Sequence, residues 1–292
     1  MSKAKTLKEA INDFLKELQL ANRSTHTVRA YRTDLNQLTV FYNGETANLD
    51  TDTLRDFFTQ HTTLSPATRA RKQAAVASFI TWAYHNRLID HNPMERITRV
   101  QPEAPSPCAI SRETFNTVLA HIPAARLRDR LLFTLLFETG MRIGEALSLY
   151  VEDLDLTPDD EHVTLIGKGK KRRTILLDDT KLVLLLRRYL HDRDYQHGPL
   201  FRAHKNGHGG PLRYQSAQEL WTKYCHWADV DCSLHQLRHA HATELINDGV
   251  SLATIRKRLG HKNLQTTLRY AEQSNSVADQ EVRNWRRYKN RQ

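Results

Sequence analysis

The stretch Thr98-Arg-Val-Gln-Pro-Glu-Ala-Pro-Ser-Pro107 carries prolines at 102, 105 and 107 and no apolar periodicity. Proline removes a backbone donor and biases the residue before it away from helical conformations, so neither a helix nor a sheet ladder runs through such a segment. A chain broken in this way folds as two bodies joined by an extended connector. Its 292 residues suffice for two domains of unequal size. The expected organisation is a first domain over 1–98, a linker over 99–108 and a second domain over 109–292.

The first body reads as all-helical. Thr6-Leu-Lys-Glu9 is a capping-box pattern, followed at helical spacing by Leu7, Ile11, Phe14, Leu15 and Leu18. Val28, Tyr31, Leu35, Leu38 and Phe41 make a second helix that ends near Asn43-Gly44. A short third helix carries Leu54, Phe57 and Phe58. Ser65-Pro66 opens a fourth, which packs through Val76, Phe79, Ile80 and Ala83. The second body is mixed. Ser111 caps a helix, and Leu127, Leu131 and Leu135 lie on another that stops at Gly140. Between Glu161 and Leu177, short apolar runs flank Gly-Lys-Gly, the pattern of a hairpin with a basic tip. Helices return at 181–190, 221–228, 235–247 and 251–259 and around Tyr270. The fold class expected is therefore mainly α with a small β-hairpin or sheet.

Charge narrows the partner. Lys and Arg number 43 against 33 Asp and Glu, a net charge of +10 that favours a polyanion. Arg69, Arg71 and Lys72 fall in the first turns of the Ser65 helix, where side chains and backbone donors could meet phosphate together; the competing reading is a solvated helix face. Lys170 and Arg172 add cations to the hairpin tip. The cysteines, Cys108, Cys225 and Cys232, are odd in number and lack framework spacing, which suits a reducing cytoplasm. No apolar run reaches membrane-spanning length and the N-terminus has no signal-peptide pattern.

Six residues carry chemistry: Arg142, Lys168, His235, Arg238, His261 and Tyr270. Cleaving a phosphodiester without a metal requires a nucleophile, neutralisation of the phosphorane and a proton for the departing oxygen. A tyrosine phenol serves as nucleophile if a neighbour takes its proton. Arginine guanidinia present paired donors to phosphate and stay charged. Lysine can supply a proton, and histidines exchange protons near neutral pH. A covalent phosphotyrosine conserves the energy of the broken bond, so religation needs no ATP, and no nucleotide-binding signature or other cofactor motif is present. His235 and His239 at i, i+4 with nearby Cys225 and Cys232 raise zinc as an alternative, but there is no Cys-x-x-Cys pair and no His-Glu-x-x-His helix.

The motifs Thr139-Gly-Met-Arg-Ile-Gly-Glu145, Gly167-Lys-Gly-Lys-Lys-Arg172, His235-Gln-Leu-Arg-His-Ala-His-Ala-Thr243 and Leu259-Gly-His-Lys-Asn-Leu-Gln-Thr-Thr-Leu-Arg-Tyr270 resemble those of the tyrosine recombinases, which include phage integrases and the Xer resolvases. The order Arg, Lys, His-x-x-Arg, His and Tyr is reproduced in full. The resemblance implies that Tyr270 attacks the scissile phosphate to form a 3′-phosphotyrosine. Arg142, Arg238 and His261 would bind the phosphate, Lys168 would protonate the leaving 5′ hydroxyl, and His235 would accept the tyrosine proton. Glu145 matches an acidic position that orients its neighbours. Lys168 holds the lysine position after Gly167, although Lys170 and Lys171 share the same tip.

The resemblance further implies a helical core-binding domain and a mixed α/β catalytic domain that together clamp duplex DNA recombination sites. It also implies a tetramer of protomers on DNA, acting alone or beside a related recombinase. Two departures stand out: the family often has an aromatic where His241 stands, and Ala271-Glu272 replaces a common Thr-His. The tail through Val277, Val282, Trp285 and Tyr288, with Arg283, Arg286, Arg287 and Lys289, is amphipathic and either packs on its own domain or docks on a neighbouring protomer. A non-cleaving DNA-binding regulator and a type IB topoisomerase are the competing functions. Retention of all six positions opposes the first, and the compact two-domain layout opposes the second.

Overall fold

Side-chain caps set where many of the helices begin. In the computed structural model, which describes residues 5–102, 109–166, 172–193, 195–203, 210–260 and 286, the Thr6 hydroxyl accepts from the Glu9 amide while Glu9 reaches back to the Thr6 amide. This capping box opens α1 (Leu7–Leu20). Ser24, Asp50 and Ser65 play the same part for α2 (Thr25–Phe41), α3 (Thr51–Thr59) and α4 (Pro66–His85). The chain divides into two compact units, Met1–Pro105 and Ser106–Gln292, each described below by itself.

In the first unit the apolar faces of α1 to α4 close on one core. Leu7, Ile11, Leu35, Leu38, Leu54, Phe57, Phe79 and Ile80 are almost wholly removed from solvent. Polar groups lie among them too: Asp34 on α2, 1% exposed, pairs with the buried Lys72 and with Arg71 of α4.

The second unit is built around α6 (Leu127–Thr139), whose Leu131, Leu132, Phe133, Leu135, Leu136 and Phe137 are all buried. A helix apolar on nearly every side belongs at the centre of a core. Around it lie α5 (Arg112–Ala120), α8 (Thr180–Asp192), α9 (Tyr214–Trp227) and α10 (Leu234–Asn247). A short α7 (Ile143–Leu147) follows α6, and α11 (Leu252–Leu259) packs on α10 through Ile246 and Ile255. The antiparallel sheet runs β1 (Leu154–Asp155), β2 (His162–Ile166), β3 (Arg172–Leu176), in that order. Register pairs Val163 with Ile175 and Leu165 with Arg173, so one face of the hairpin turns Val163, Leu165 and Ile175 to the core.

Two differences from the sequence reading have local causes. β1 is two residues long and too brief to leave a periodic signature. α9 begins at Tyr214, upstream of the 221 read from periodicity, because its N-cap is Arg213, which makes no capping hydrogen bond and leaves no start signal.

Candidate active site

Two left-handed glycines turn the chain sharply where α6 and α11 end. Gly140 has φ +61° and Gly260 φ +67°, conformations costly for a residue with a Cβ. Space enforces the same choice. A Cβ on Gly140 would lie 2.6 Å from both His241 and Leu259, and one on Gly260 would collide with the Arg173 guanidinium. The carbonyls of these turns become the acceptors around which the site forms.

Arg238, on the second turn of α10, is 3% exposed. Its Nη1 donates to the Gly140 carbonyl at 2.6 Å and its Nη2 to the Leu259 carbonyl at 2.9 Å. A buried guanidinium needs such acceptors to offset desolvation. Arg142 follows Gly140 at the N-cap of α7. Its Nη1 donates to Glu145 Oε1 at 3.1 Å, and its Nη2 lies 3.5 Å from the Gly260 carbonyl oxygen. Both arginines therefore face the turn that immediately precedes His261.

Glu145 joins two cations. Its Oε2 accepts the Arg142 backbone amide at 2.8 Å and Arg173 Nη2 at 2.8 Å. Arg173 is the residue that motif reading missed. It looks like one more member of the basic run at the hairpin tip, yet it sits on β3 in register with the buried Leu165, on the inward face. Burial, opposed by Glu145 and reinforced by Arg142, holds its affinity for a proton below the usual arginine range. Strand alternation was the available signal: an arginine two residues before buried Ile175 requires an acid partner.

His235 occupies the first turn of α10, exposed, with its ring edge-on to His239 at 4.5 Å between centroids. Desolvation, then Arg238 and Arg142, lower its pKa from 6.5 and favour the neutral imidazole that can accept a proton. His239 is pushed down to about 4 by burial, His235 and Arg238. A cavity of about 580 Å³ opens beside His235, between α9 and the start of α10, with Tyr214, Trp221 and Ser233 on its walls.

The helices that carry these groups are tied together behind the site. Arg112 of α5 donates to Glu138 Oε1 at 2.7 Å and Oε2 at 3.1 Å, and to Glu244 at 3.0 and 2.7 Å, while its guanidinium lies over the Phe137 ring. The buried Asp129 accepts from Arg128 and from the Tyr224 hydroxyl, joining α6 to α9.

Of the residues expected from sequence, Arg142, Glu145 and Arg238 lie around the end of α11, with His235 one turn before Arg238 on α10. Lys168, Lys170, His261 and Tyr270 lie outside the described residues, as does the C-terminal tail apart from Arg286, which is helical and exposed. Arg172 is exposed at the start of β3. In the first unit Arg69 is half-buried and Arg71 exposed, whereas Lys72 corrects the expectation placed on it. Lys72 is 3% exposed, and its ammonium donates to Asp34 and Gln37 inside the bundle, so it is not presented to a phosphate. Among the described residues, no three His, Cys, Asp or Glu side chains are placed to share a metal, and no helix is long and apolar enough to cross a membrane.

Residues 110–276 match the phage integrase family, and residues 11–87 match the N-terminal SAM-like domain of phage integrases. The chain belongs to the phage integrase family. It is 38% identical over 170 residues to transposase A of transposon Tn554 from Staphylococcus aureus, a match covering 54% of this chain and 46% of that protein. The chain thus spans about half the length of that relative. It is 28% identical over 291 residues to the tyrosine recombinase XerC of Syntrophus aciditrophicus, covering 90% of this chain and 92% of the relative.

Solved structures share the fold. The XerH site-specific recombinase in its post-cleavage complex with palindromic difH substrate has a TM-score of 0.73 at 22% identity, covering 94% of this chain and 84% of that one. A lambda integrase dimer bound to a COC′ core site has a TM-score of 0.76 at 13% identity, covering 92% and 77%.

Proposed function

We propose that this chain is a site-specific DNA recombinase that cleaves and rejoins strands through a 3′-phosphotyrosine, with residues 1–98 as the core-binding domain and residues 109–292 as the catalytic domain. The observation that carries the reading is the convergence of Arg142 and Arg238 on the carbonyls of Leu259 and Gly260, directly before His261, which itself stands nine residues before Tyr270. Two fixed guanidinia at one turn supply the charge that a phosphorane needs.

In this reading the Tyr270 oxygen attacks phosphorus and its proton passes to His235, whose neutral imidazole is favoured by its surroundings. The bond from phosphorus to the 5′ oxygen breaks, and Lys168 protonates that oxygen. His261 joins Arg142 and Arg238 on the non-bridging oxygens. Religation reverses the step from the stored ester, so the reaction needs neither metal nor ATP.

The partner is double-stranded DNA, supported by the +10 charge and by relatives solved on DNA sites. A tetramer acting on two sites agrees with the lambda integrase tetramer solved on a Holliday junction. Integration, excision or resolution of mobile DNA, or dimer resolution, is the class of event, in line with the Tn554 and XerC relatives.

A duplex nicked beside the scissile phosphate, from which the cleaved strand diffuses away, tests the reading. The expected result is a covalent protein-DNA adduct in EDTA without ATP, absent for Tyr270→Phe. An adduct that persists in that variant removes Tyr270 as nucleophile. Sequence-specific binding without any adduct would replace the recombinase with a DNA-binding regulator.

A further inference from the structure

Three residues along α10 from Arg238, a second polar contact joins the same elements. His241 is 5% exposed, and burial, then Arg258, suppress its protonation to a pKa of about 3. A neutral imidazole has one donor and one acceptor nitrogen, and both are engaged here. Nε2 accepts from Arg258 Nε of α11 at 3.2 Å, while the ring also hydrogen-bonds the Phe137 backbone in the last turn of α6.

Arg258 has 17% of its side chain exposed and engages a second nitrogen nearby. Its Nη2 donates to Asp178 Oδ1, after β3, at 2.9 Å and reaches the Glu138 carbonyl at 3.4 Å. The residue after Arg258 is Leu259, whose carbonyl holds Arg238, and the residue after Glu138 and Thr139 is Gly140, whose carbonyl holds the same guanidinium. Two polar links, one through Arg238 and one through the His241 and Arg258 pair, therefore span α6, α10 and α11 about one helical turn apart.

We infer that His241 and Arg258 are positioning residues that fix the end of α11, and thereby the approach of the segment carrying His261 and Tyr270, to the arginines that bind phosphate. The inference rests on the recombinase reading for its catalytic consequence. Chemistry distinguishes it from plain packing. The aromatic that the family often carries at this position fills similar volume but neither accepts from a guanidinium nor donates to a carbonyl. With such a ring the Arg258 side chain would lose one acceptor in a half-dry setting. Burial, then Arg258 and Arg238, keep the imidazole neutral against the opposing pull of the Asp178 carboxylate.

The test compares the wild type with His241→Phe, Arg258→Met, the double variant and His241→Gln, whose amide restores an acceptor and a donor. Two readouts are taken: hydrogen exchange of the last-turn amides of α11 without DNA, and single-turnover cleavage of the nicked duplex at saturating DNA. Each single variant is expected to speed exchange and to slow cleavage by about 10-fold with DNA affinity within about 2-fold, and the double variant to lose no more than either single one. His241→Gln is expected to recover most of the rate.

Additive losses, unchanged exchange and cleavage, or a fall in DNA affinity that accounts for the rate would overturn the positioning role. If the wild type forms no adduct, the recombinase reading fails. The exchange arm still decides whether the pair sets α11.

Discussion

Both units bury cations, and the acceptors that hold them differ in kind. In the first, Lys72 lies within the bundle against Asp34 and Gln37, with Arg71 as a second cation on the same carboxylate. In the second, Arg142 and Arg173 share the single carboxylate Glu145, and Arg238 is held by two backbone carbonyls. Carbonyl dipoles orient a guanidinium without cancelling its charge. The Lys72 ammonium is held by side-chain oxygens, whereas the hydrogen bonds described for Arg238 run to backbone carbonyls. Basic residues that look alike in sequence thus separate by the groups that accept their hydrogen bonds.

That contrast is most exposed at Arg238. Arg238→Ala is expected to lower the single-turnover cleavage rate by about 10²–10³-fold while the variant stays folded, measured on the nicked duplex. Retained cleavage would mean that the Arg238 guanidinium is not used.

Lys72→Met should act on stability instead. Removing one member of a buried pair costs about 3–5 kcal/mol, read from denaturant unfolding, while Asp34→Leu combined with Lys72→Met returns to near the wild-type value. A loss of DNA affinity in the double variant would make Lys72 a phosphate ligand after all.

Arg173→Met tests the shared carboxylate. Freed from Arg173, Glu145 draws Arg142 closer and away from the Gly260 turn, with an expected loss of up to about 10²-fold in cleavage. Little change would show that Glu145 holds Arg142 unaided.

The histidines give a pH signature. His235 has its pKa lowered from 6.5, so its proton-accepting form persists as pH falls through that value, and the acid limb of the cleavage profile should lie below it. Arg142→Gln removes a charge that disfavours the imidazolium, which should move the limb to higher pH. For stability the sign is also fixed. His241 stays neutral in the fold down to about 3, so the unfolded chain takes up its proton first. Its contribution is present above the ordinary histidine value and is lost as pH drops toward 3; His241→Phe should flatten that decline in denaturant titrations.

The smallest effect belongs to Arg69. Arg69→Ala should weaken DNA binding only a few-fold and reduce the salt slope by about one, measured from 50 to 200 mM salt.

The sequence carried the fold where a cap or an apolar stripe marked it. Thr6, Ser65, Ser111 and Ser251 all start helices, and the wholly apolar run of α6 stands at the centre of its unit. It was silent where the start of a helix lacked a capping side chain, as at Arg213. At the site, residue types and order singled out Arg142, His235 and Arg238. Arg173 was passed over and Lys72 misread for the same reason: a charged residue in a basic run shows its sign but not its direction. Asp34 was the overlooked clue, an acid directly before Leu35 on the buried side of α2 that required a cation opposite it.

Arg112 has a consequence for anyone dissecting the protein. It lies on the first turn of α5, the first helix of its unit, and its fork grips Glu138 and Glu244 at once. A fragment begun at Leu127 would retain every residue assigned to phosphate chemistry and still leave those carboxylates without their common cation. Such a truncation would loosen α10 from α6 by like-charge repulsion and strip Phe137 of its stacking partner Phe115, whose ring centroid lies 4.1 Å away. The smallest autonomous catalytic piece therefore starts upstream of Ser111, the residue that caps α5.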